Sequence, residues 1–343
     1  MNDFVAQIPE EKIIDRPAMT KDDHADGIYF RMPEEEYHAD TAMGASGICD
    51  LLQSPLKFYE NSAFNKNRNR EEFDEKETAA ITRGNYFHDL ISGQKNKIVV
   101  KPKDMSFAKT DGKAFKAKYP EDTIWIKADD ATKVGKMIDA MRETGVLDRI
   151  GGMRGGINEV SFFWTDKAGR RRKLKIDRLF EGQAYDWKTM ANSMSKDTET
   201  LVAHTVAQMK YHVKAYWYQV GLQAMKAAIK AKGQEAFKSQ MREEDFAEML
   251  ALAETDQIVP FWYVFIEASG IANITPRRFV SHDASGNLNA YFRAAKQETN
   301  RALDMFDGYM KTHGRDKPWH QPAVWKDFDD QDFSAARWIL AEE

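Results

Sequence analysis

Residues 175–189 constrain the fold most, because two segments with alternating apolar side chains meet there at a short turn. A period of two is typical of β-strands. Glu181 and Gly182 stand at the junction, and glycine readily adopts the positive φ that a two-residue hairpin turn requires. This turn sets two cross-strand pairs: Phe180 with Gln183 and Leu179 with Ala184. The sequence therefore predicts an antiparallel hairpin with its turn at these two residues.

The hairpin register predicts which polar side chains are neighbours. Counting back from the turn places Asp177 directly opposite Asp186, about 5 Å apart at Cβ. Lys188 is expected on the same face as Asp186, with Trp187 pointing the other way, because side chains alternate along a strand. Two adjacent carboxylates repel, so a cation is expected between them. A hard divalent ion held by oxygen ligands, Mg²⁺ or Mn²⁺, suits this position. The alternative is a solvated hairpin with an ordinary surface lysine.

Size and composition indicate a globular protein with a sizeable core. The chain has 343 residues and a mass of 39.4 kDa, and 42% of its residues are hydrophobic. It has no run of eighteen apolar residues and no signal-like segment, so we expect no membrane association and a cytoplasmic location, in a bacterium or a phage-infected host. A single cysteine, Cys49, excludes internal disulfides and any four-cysteine iron–sulfur or zinc site.

The net charge of −4 hides an asymmetry along the chain. From residue 161 to residue 240, fifteen Lys and Arg stand against seven Asp and Glu, a balance of +8, so the remainder carries −12. A basic cluster lies in this segment just before the hairpin: Arg170, Arg171, Arg172 and Lys173. Two interpretations stay open. The cluster is either a solvated turn and strand edge, or a set of phosphate contacts beside an acidic metal site.

The order of the predicted elements indicates one α/β domain with a central mixed sheet flanked by helices. Helices are predicted over 46–56, with Ser46 as N-cap, and over 78–90, 133–147, 200–232 and 288–309. Strands are predicted over 98–102, 157–164, 171–180, 184–189 and 258–267. Gly221 is the one expected interruption of the long fourth helix. We expect a flexible or partner-bound extension over 1–30, the domain over 31–325 and a tail over 326–343, with Trp319 and Trp325 packing the tail onto the domain.

Three further features lie outside the hairpin. A Gly-x-x-x-His pattern puts His88 on the second helix, four residues after Gly84. Glu159 lies on the strand before the hairpin, and a loop centred on Ala168 would place it opposite Asp177. Gln219 follows the aromatic run Tyr216-Trp217-Tyr218 on the long helix, which comes after the strand that carries Asp186 and Lys188. Each has an ordinary alternative, since a lone histidine or glutamine on a helix is usually a core or surface residue.

Taken in order, these motifs resemble those of the PD-(D/E)xK nuclease superfamily. Within it, residues 35–325 resemble the RecE-type phage exonucleases (exonuclease VIII-like), which are related to the nuclease domain of RecB; residues 53–59, Gln-Ser-Pro-Leu-Lys-Phe-Tyr, belong to the same resemblance. Two positions depart from the pattern. Ile176 stands where the superfamily has proline, and Gln223 stands where the motif Gln-x-x-x-Tyr has tyrosine.

The resemblance implies roles for seven residues. The metal ligands would be His88, Asp177, Asp186 and the backbone carbonyl of Trp187. Lys188 would be the catalytic lysine, acting beside Asp177 and Asp186. Glu159 matches an acidic position near the site, and Gln219 matches a residue that positions DNA or orders the site. Burial near cations is expected to lower the pKa of Lys188.

The function implied is a Mg²⁺-dependent exodeoxyribonuclease, in which Mn²⁺ may substitute. It would resect double-stranded DNA ends 5′ to 3′ and leave single strands for phage-type recombination. The resemblance also implies a homo-oligomer, a tetrameric ring, and a single-strand annealing protein as a partner. Two alternatives stay open: a single-strand or structure-specific nuclease with the same centre, and a non-cleaving DNA-binding protein that retains the nuclease fold.

Overall fold

Alternating apolar residues build a six-stranded sheet at the centre of the molecule. The computed structural model describes residues 23–68, 75–93, 98–121, 123–192, 196–268 and 270–323. In these ranges the strands are β1 (Gly27–Phe30), β2 (Ile98–Lys101), β3 (Ile124–Lys127), β4 (Ile157–Thr165), β5 (Arg171–Phe180), β6 (Gln183–Met190), β7 (Phe261–Glu267) and β8 (Ile274–Arg278). The large sheet has the order β1-β4-β5-β6-β7-β8, and β2 and β3 form a separate parallel pair.

Helices cover both faces of the large sheet. They are α1 (Glu34–Ala39), α2 (Ala45–Gln53), α3 (Pro55–Asn61), α4 (Glu75–Ser92), α5 (Thr110–Lys116), α6 (Ala128–Glu143), α7 (Val146–Arg149), α8 (Thr198–Gln208), α9 (Tyr211–Lys232), α10 (Glu243–Glu254) and α11 (Ala290–His313). A 3₁₀ turn, Gly233–Ala236, follows α9. None of these helices is both long enough and apolar enough to span a bilayer.

The sheet is mixed, as the sequence predicts. Only β6 and β7 run parallel, and the other neighbouring strands of the large sheet are antiparallel. β7 is apolar on both faces because it lies between two strands and two layers of helices. Phe261, Tyr263 and Phe265 join the core beneath α9, whereas Val264 and Ile266 join the core beneath α4 and α6. The two faces of β7 therefore belong to two separate hydrophobic cores.

The predicted hairpin register is confirmed at the turn. Phe180 pairs with Gln183 and Leu179 with Ala184. Glu181 and Gly182 both have positive φ, 47° and 71°, as a two-residue type I′ turn requires. Arg178 and Tyr185 make the last pair, and beyond it β5 and β6 separate.

This separation splits the large sheet into two halves joined at the hairpin. The start of β5 stays paired with β4, and the end of β6 stays paired with β7. The chain at Met43 takes the place beside β5: Met43 donates to the carbonyl of Arg171 and accepts from the N–H of Lys173. We call the opening between the first part of β5 and the last part of β6 the fork.

The helix predicted over 46–56 is wrong in its limits. α2 begins at Ala45 after Gly44, so Ser46 is not the N-cap. It ends at Gln53, and Ser54 caps a new helix, α3, by accepting a hydrogen bond from Lys57 N–H at 3.0 Å. Proline suits the first position of a helix, so Pro55 starts α3 rather than following the end of α2.

The long helix predicted over 200–232 is two helices. The break falls at Lys210, which has a left-handed φ of 50°, between α8 and α9. Gly221 lies inside α9 without interrupting it. A Cβ at Gly221 would lie 2.0 Å from Leu174 Cδ2, so this glycine allows α9 to pass close to β5.

Three short strands escape prediction: β1, β3 and β8. β1 lies in the segment expected to be a flexible extension, yet its backbone pairs with β4. β8 contains Pro276, which an edge strand tolerates because its outer side needs no hydrogen bond. Trp319 is buried against Phe58 and Phe306, as expected of a packing anchor. Trp325, residues 1–22 and the tail over 326–343 lie outside the described residues.

The basic cluster before the hairpin is neither a solvated turn nor a free phosphate-binding patch. Arg170 pairs with Asp166 and Asp307, and Arg171 pairs with Asp40. The remaining members, Arg172 and Lys173, are buried: Arg172 pairs with Asp166, and Lys173 donates to the carbonyls of Tyr37 and Asp40. Arg171 and Lys173 thus hold the start of β5 to the N-terminal segment, whereas Arg170 and Arg172 hold the β4–β5 turn through Asp166.

Candidate active site

A histidine and two carboxylates from three elements meet at the fork. One ligand atom from each of His88, Glu159 and Asp177 can be chosen so that all lie within 4.8 Å of one another. His88 lies on α4, Glu159 on β4 and Asp177 on β5. Nδ1 of His88 is 3.9 Å from Oδ2 of Asp177. This group, which we call the acid–histidine cluster, brings together three of the residues predicted from the sequence.

The register of β4 and β5 explains why the two carboxylates are neighbours. Asn158 pairs with Arg178 and Val160 pairs with Ile176, so Glu159 lies at the level of Asp177, as the loop centred on Ala168 predicts. Glu159 itself has a left-handed φ of 57°. That conformation is uncommon for a residue other than glycine and interrupts the regular alternation of the strand.

α4 brings His88 to the cluster by passing close to the end of β6. A Cβ at Gly84 would lie 3.8 Å from Oγ1 of Thr189, so the helix and the strand are in near contact one turn before the histidine. Below His88, Phe87 and Ile91 are buried in the core that α4 shares with α6. The Gly-x-x-x-His pattern therefore marks a helix fixed against the sheet.

Asp177 and Asp186 are not a ladder pair, contrary to the expected register. The pairing of β5 with β6 ends one residue earlier, at Arg178 and Tyr185. Instead, Oδ2 of Asp177 accepts a hydrogen bond from the backbone N–H of Trp187 at 2.8 Å. The carboxylate thus occupies the place where a backbone carbonyl would continue the ladder. Trp187 points its ring into the opposite core, as predicted.

Lys188 and Asp186 form an ion pair on one face of β6, as strand alternation predicts. The ammonium also lies 5.6 Å from the ring centres of Tyr211 and Tyr263. Burial works to lower the pKa of Lys188, but the carboxylates of Asp186 and Asp177 outweigh it and raise that pKa well above its ordinary value. The expectation of a lowered pKa is therefore wrong, because the nearest charges are anions.

The buried acids hold protons more tightly than ordinary carboxyl groups. Burial raises the pKa of Glu159 to about 7 and that of Asp186 to about 6, against the attraction of Lys175 and Lys188 respectively. Burial also raises the pKa of Asp177. For His88, burial and then the charge of Lys188 lower the pKa to about 4. At neutral pH the imidazole is uncharged and offers a lone pair.

The cluster opens into a cleft of about 880 Å³. Lys175 and Tyr218 line it beside the predicted residues. Lys175 pairs with Glu159 at 2.6 Å, so a second lysine lies at the site that no motif indicates. Strand alternation is the sequence signal that could have found it: Lys175 lies two residues before Asp177 on β5, so both side chains are on the same face.

Gln219 does not lie with the other predicted residues. Its side-chain N–H donates to the carbonyl of Val259 at 3.0 Å, in the core between α9 and the chain before β7. The residue is buried, and its Oε1 has no partner among the described residues. Trp217 and Tyr218, which precede it in sequence, are the members of that run that line the cleft.

The acid–histidine cluster fits a divalent cation. Ligand atoms around one small ion lie up to about 4 to 5 Å apart, because metal–oxygen distances are about 2.0 to 2.6 Å. The spacing within 4.8 Å meets this limit. Two carboxylates and a neutral imidazole are ligands that Mg²⁺ and Mn²⁺ accept.

Comparison with known proteins places the chain in a family. Residues 46–250 match the model of a PDDEXK-like domain of unknown function, DUF3799. No curated protein matches the chain. A crystal structure of a protein from Eubacterium rectale, described as a "putative exonuclease", aligns with a TM-score of 0.48 and 15% identity over 89% of this chain and 99% of that chain.

The matched segment contains the whole acid–histidine cluster together with Asp186 and Lys188. It also contains the hairpin, the fork and α9. The chain belongs to the PDDEXK-like domain family DUF3799, within the PD-(D/E)xK nuclease superfamily.

Proposed function

We propose that the chain is a divalent-metal-dependent deoxyribonuclease that hydrolyses phosphodiester bonds at the fork. The observation that carries this proposal is the convergence of His88, Glu159 and Asp177 within 4.8 Å, at the wall of a cleft that also holds Asp186 and Lys188. A phosphodiester is an anion, so its hydrolysis requires neutralisation of charge and an activated water.

Each residue has a task that follows from its surroundings. His88, Glu159 and Asp177 would hold the ion, which supplies Lewis-acid polarisation of a phosphoryl oxygen and acidification of a water. The N–H of Trp187 fixes the carboxylate of Asp177. The motif resemblance adds the carbonyl of Trp187 to the proposed ligands. Asp186 either joins the ligands or orients Lys188 through their ion pair.

Lys188 acts as a cation in this proposal. Its pKa lies above the ordinary value, so the ammonium keeps its proton at neutral pH. It therefore stabilises the negative charge that grows in the transition state and orients the attacking water, rather than removing a proton. Lys175 lies beside Glu159 and compensates part of the charge of the acids.

The finer assignment rests on the motif resemblance. We propose Mg²⁺ as the ion, with Mn²⁺ able to replace it, and double-stranded DNA ends as the substrate. The polarity would be 5′ to 3′, leaving single strands for phage-type recombination, as in RecE-type exonucleases. A ring-shaped homo-oligomer and a single-strand annealing partner belong to the same proposal. Gln219 would act by ordering α9 against the chain before β7, where its contact lies.

A digestion assay tests the proposal. Linear duplex labelled at one 5′ or 3′ end and covalently closed circles are incubated with the protein, with Mg²⁺ or with a chelator. We expect Mg²⁺-dependent loss of the 5′ label from linear DNA while circles stay intact. Nicked circles would reject the exonuclease in favour of a structure-specific nuclease. Shifted but uncut DNA would reject catalysis in favour of a DNA-binding protein.

A further inference from the structure

A small unit is inserted between the helix that carries His88 and the next long helix. It consists of β2, α5 and β3, and it has an aromatic core of its own. Trp125 lies at the centre, with the rings of Phe107, Phe115 and Tyr119 at 4.8, 5.9 and 5.2 Å from its own. This unit, residues 98–127, we call the insert.

The insert is basic in a chain that is acidic overall. Its described residues include seven lysines: Lys101, Lys103, Lys109, Lys113, Lys116, Lys118 and Lys127. The sequence of the insert has four acidic residues: Asp104, Asp111, Glu121 and Asp122. The balance is +3, against −4 for the whole chain. A local positive surface of this kind attracts polyanions, although the net charge of the protein is negative.

Three of these lysines form a stripe on α5. Lys109 is the N-cap residue of α5, and Lys113 and Lys116 follow it at i+4 and i+7, so the three lie along one side of the helix. All three are exposed, and none has an acidic partner among the residues that the structure describes. Neighbours at this spacing are about 5 to 6 Å apart at Cβ. A row of cations at that interval can follow the phosphates of one DNA strand, which recur about every 3.4 Å.

The insert lies beside the helix that reaches the site. β3 packs against α4, and both β2 and β3 pack against α6. At the N-terminal end of α6, Asp130 accepts from Arg83 of α4 at 3.1 Å, which ties the two helices together. A DNA strand bound to the insert would therefore be bound to a unit that packs directly against α4, the helix that positions His88.

The other large group of cations is not available for this task. Arg170, Arg171 and Arg172 are engaged in ion pairs within the protein. In the insert, by contrast, two lysines lie over a half-buried aromatic ring: Nζ of Lys101 and of Lys116 are 4.9 and 6.0 Å from the ring centre of Phe107. Exposed cations around aromatic surface are typical of nucleic-acid contacts.

We propose that the lysine stripe of the insert, Lys109, Lys113 and Lys116, binds the phosphate backbone of the DNA substrate outside the catalytic cleft. This inference rests on the proposed deoxyribonuclease function. It assigns to α5 a task in holding the substrate and no part in the chemical step.

Binding without cleavage tests the inference. Anisotropy of a labelled duplex and a labelled single strand is measured in chelator at several salt concentrations, with wild type and the triple variant Lys109→Gln, Lys113→Gln, Lys116→Gln. A control variant changes three exposed lysines elsewhere by the same charge: Lys167→Gln, Lys232→Gln and Lys311→Gln. A triple Lys→Arg variant of the stripe keeps the charge. Thermal melting checks that all four proteins are folded.

We expect the triple Gln variant of the stripe, but not the control variant, to lose affinity for DNA. The triple Gln variant should bind on the order of tenfold more weakly, with a salt slope lower by about 2 to 3, because each phosphate contact contributes about 0.9 on duplex and about 0.7 on a single strand. The Arg variant should bind like wild type. Equal losses in the stripe and control variants, or none in either, would overturn the inference and leave the stripe as a solvated face or a contact for an acidic protein.

Failure of the inference is distinguishable from failure of the proposed function. If wild type binds DNA in chelator but cuts nothing with Mg²⁺, the nuclease proposal fails while the stripe is still tested. If wild type cuts DNA and the stripe variant binds as tightly as wild type, only the inference fails.

Discussion

At the scale of single residues, Asp186 and Lys188 are bound to each other in a setting that excludes most water. Asp186 is 1% exposed, and its ion pair to Lys188 holds the ammonium at the fork. We predict that Asp186→Ala lowers the rate of DNA cleavage by at least about a thousandfold, because the carboxylate, the ammonium and the ion act as a unit. Cleavage of linear duplex with Mg²⁺ measures this, and circular dichroism checks the fold.

A matched aspartate controls for the loss of one negative charge. Asp139 lies exposed on α6 and pairs with Arg142. Asp139→Ala should therefore leave cleavage unchanged, since a surface ion pair contributes little. Full activity of Asp186→Ala would contradict the site assignment.

A second residue-scale prediction concerns pH. Glu159 has a folded-state pKa raised to about 7, above the ordinary value of 4.5, so the folded protein binds more protons than the unfolded chain between those values. Its contribution to stability is fully present below pH 4.5 and is lost as pH rises through about 7. We predict that ionisation of Glu159 lowers the unfolding free energy of the metal-free protein by roughly 1 to 3 kcal/mol between pH 5 and pH 8, measured as the difference between wild type and Glu159→Gln.

The variant Glu159→Gln isolates this effect. It should show a flatter dependence of unfolding free energy on pH, measured by urea denaturation in chelator. Mn²⁺ affinity of wild type should rise over the same pH range, because binding requires the ionised carboxylate. An identical pH dependence in wild type and variant would show that Glu159 does not carry the raised pKa.

Sequence predicts most of the candidate site and misses its arrangement. The shared face of Asp186 and Lys188 follows from strand alternation, and the structure brings His88 to Asp177, as the motif order implies. The fork is not predictable, because it depends on Met43 pairing with β5 in place of β6, a contact far along the chain. The same holds for Lys175, whose ion pair with Glu159 joins two strands.

At the scale of elements, α9 lies against β5 through a glycine. A Cβ at Gly221 would meet Leu174 at 2.0 Å. We predict that Gly221→Ala destabilises the fold by about 1 to 3 kcal/mol through overpacking, although alanine is the better helix former. Urea unfolding measures the change.

Gly135 on α6 supplies the control for that prediction. Nothing lies within 4 Å of a Cβ added there. Gly135→Ala should stabilise the protein by up to about 1 kcal/mol, as helix propensity alone dictates. Stabilisation by both substitutions would show that α9 does not pass close to β5.

A buried arginine connects α4 with the strands. Arg178 is 0% exposed, and its guanidinium donates to Asn158 Oδ1 and to the carbonyls of Ile150, Gly152 and Ile91. We predict that Arg178→Lys costs about 2 to 4 kcal/mol of unfolding free energy, because several buried acceptors lose their donor. It should also weaken Mn²⁺ binding, since Ile91 ends the helix that carries His88.

The exposed Arg142 on α6 is the matched control. Its pair with Asp139 is on the surface, so Arg142→Lys should change the unfolding free energy by less than about 0.5 kcal/mol. Equal stabilities of the two variants would contradict the anchoring role of Arg178.

Elements with strong periodicity are predictable, and those defined by distant contacts are not. β5 and β6 alternate clearly, and Gly182 marks the turn between them. The break before α9 carries no glycine or proline, because Lys210 itself takes the left-handed conformation. β1 and β8 have four and five residues, so their pattern is too short to identify, and their pairing partners alone define them.

At the scale of the whole molecule, the sheet divides at the fork and the candidate site occupies the division. One half, β1-β4-β5, supplies Glu159 and Asp177, and the other half, β6-β7-β8, supplies Asp186 and Lys188. The hairpin that joins them is the part of the structure that sequence predicts best. α4 adds His88 across the opening, and the insert packs against α4 and α6.

The most direct test of this account is the position of a bound ion. Crystals soaked in Mn²⁺ and measured at a wavelength where manganese scatters anomalously should show a peak within about 2.5 Å of ligand atoms of His88, Glu159 and Asp177. A peak at another place, or none at saturating Mn²⁺, would contradict the metal centre and with it the proposed hydrolysis.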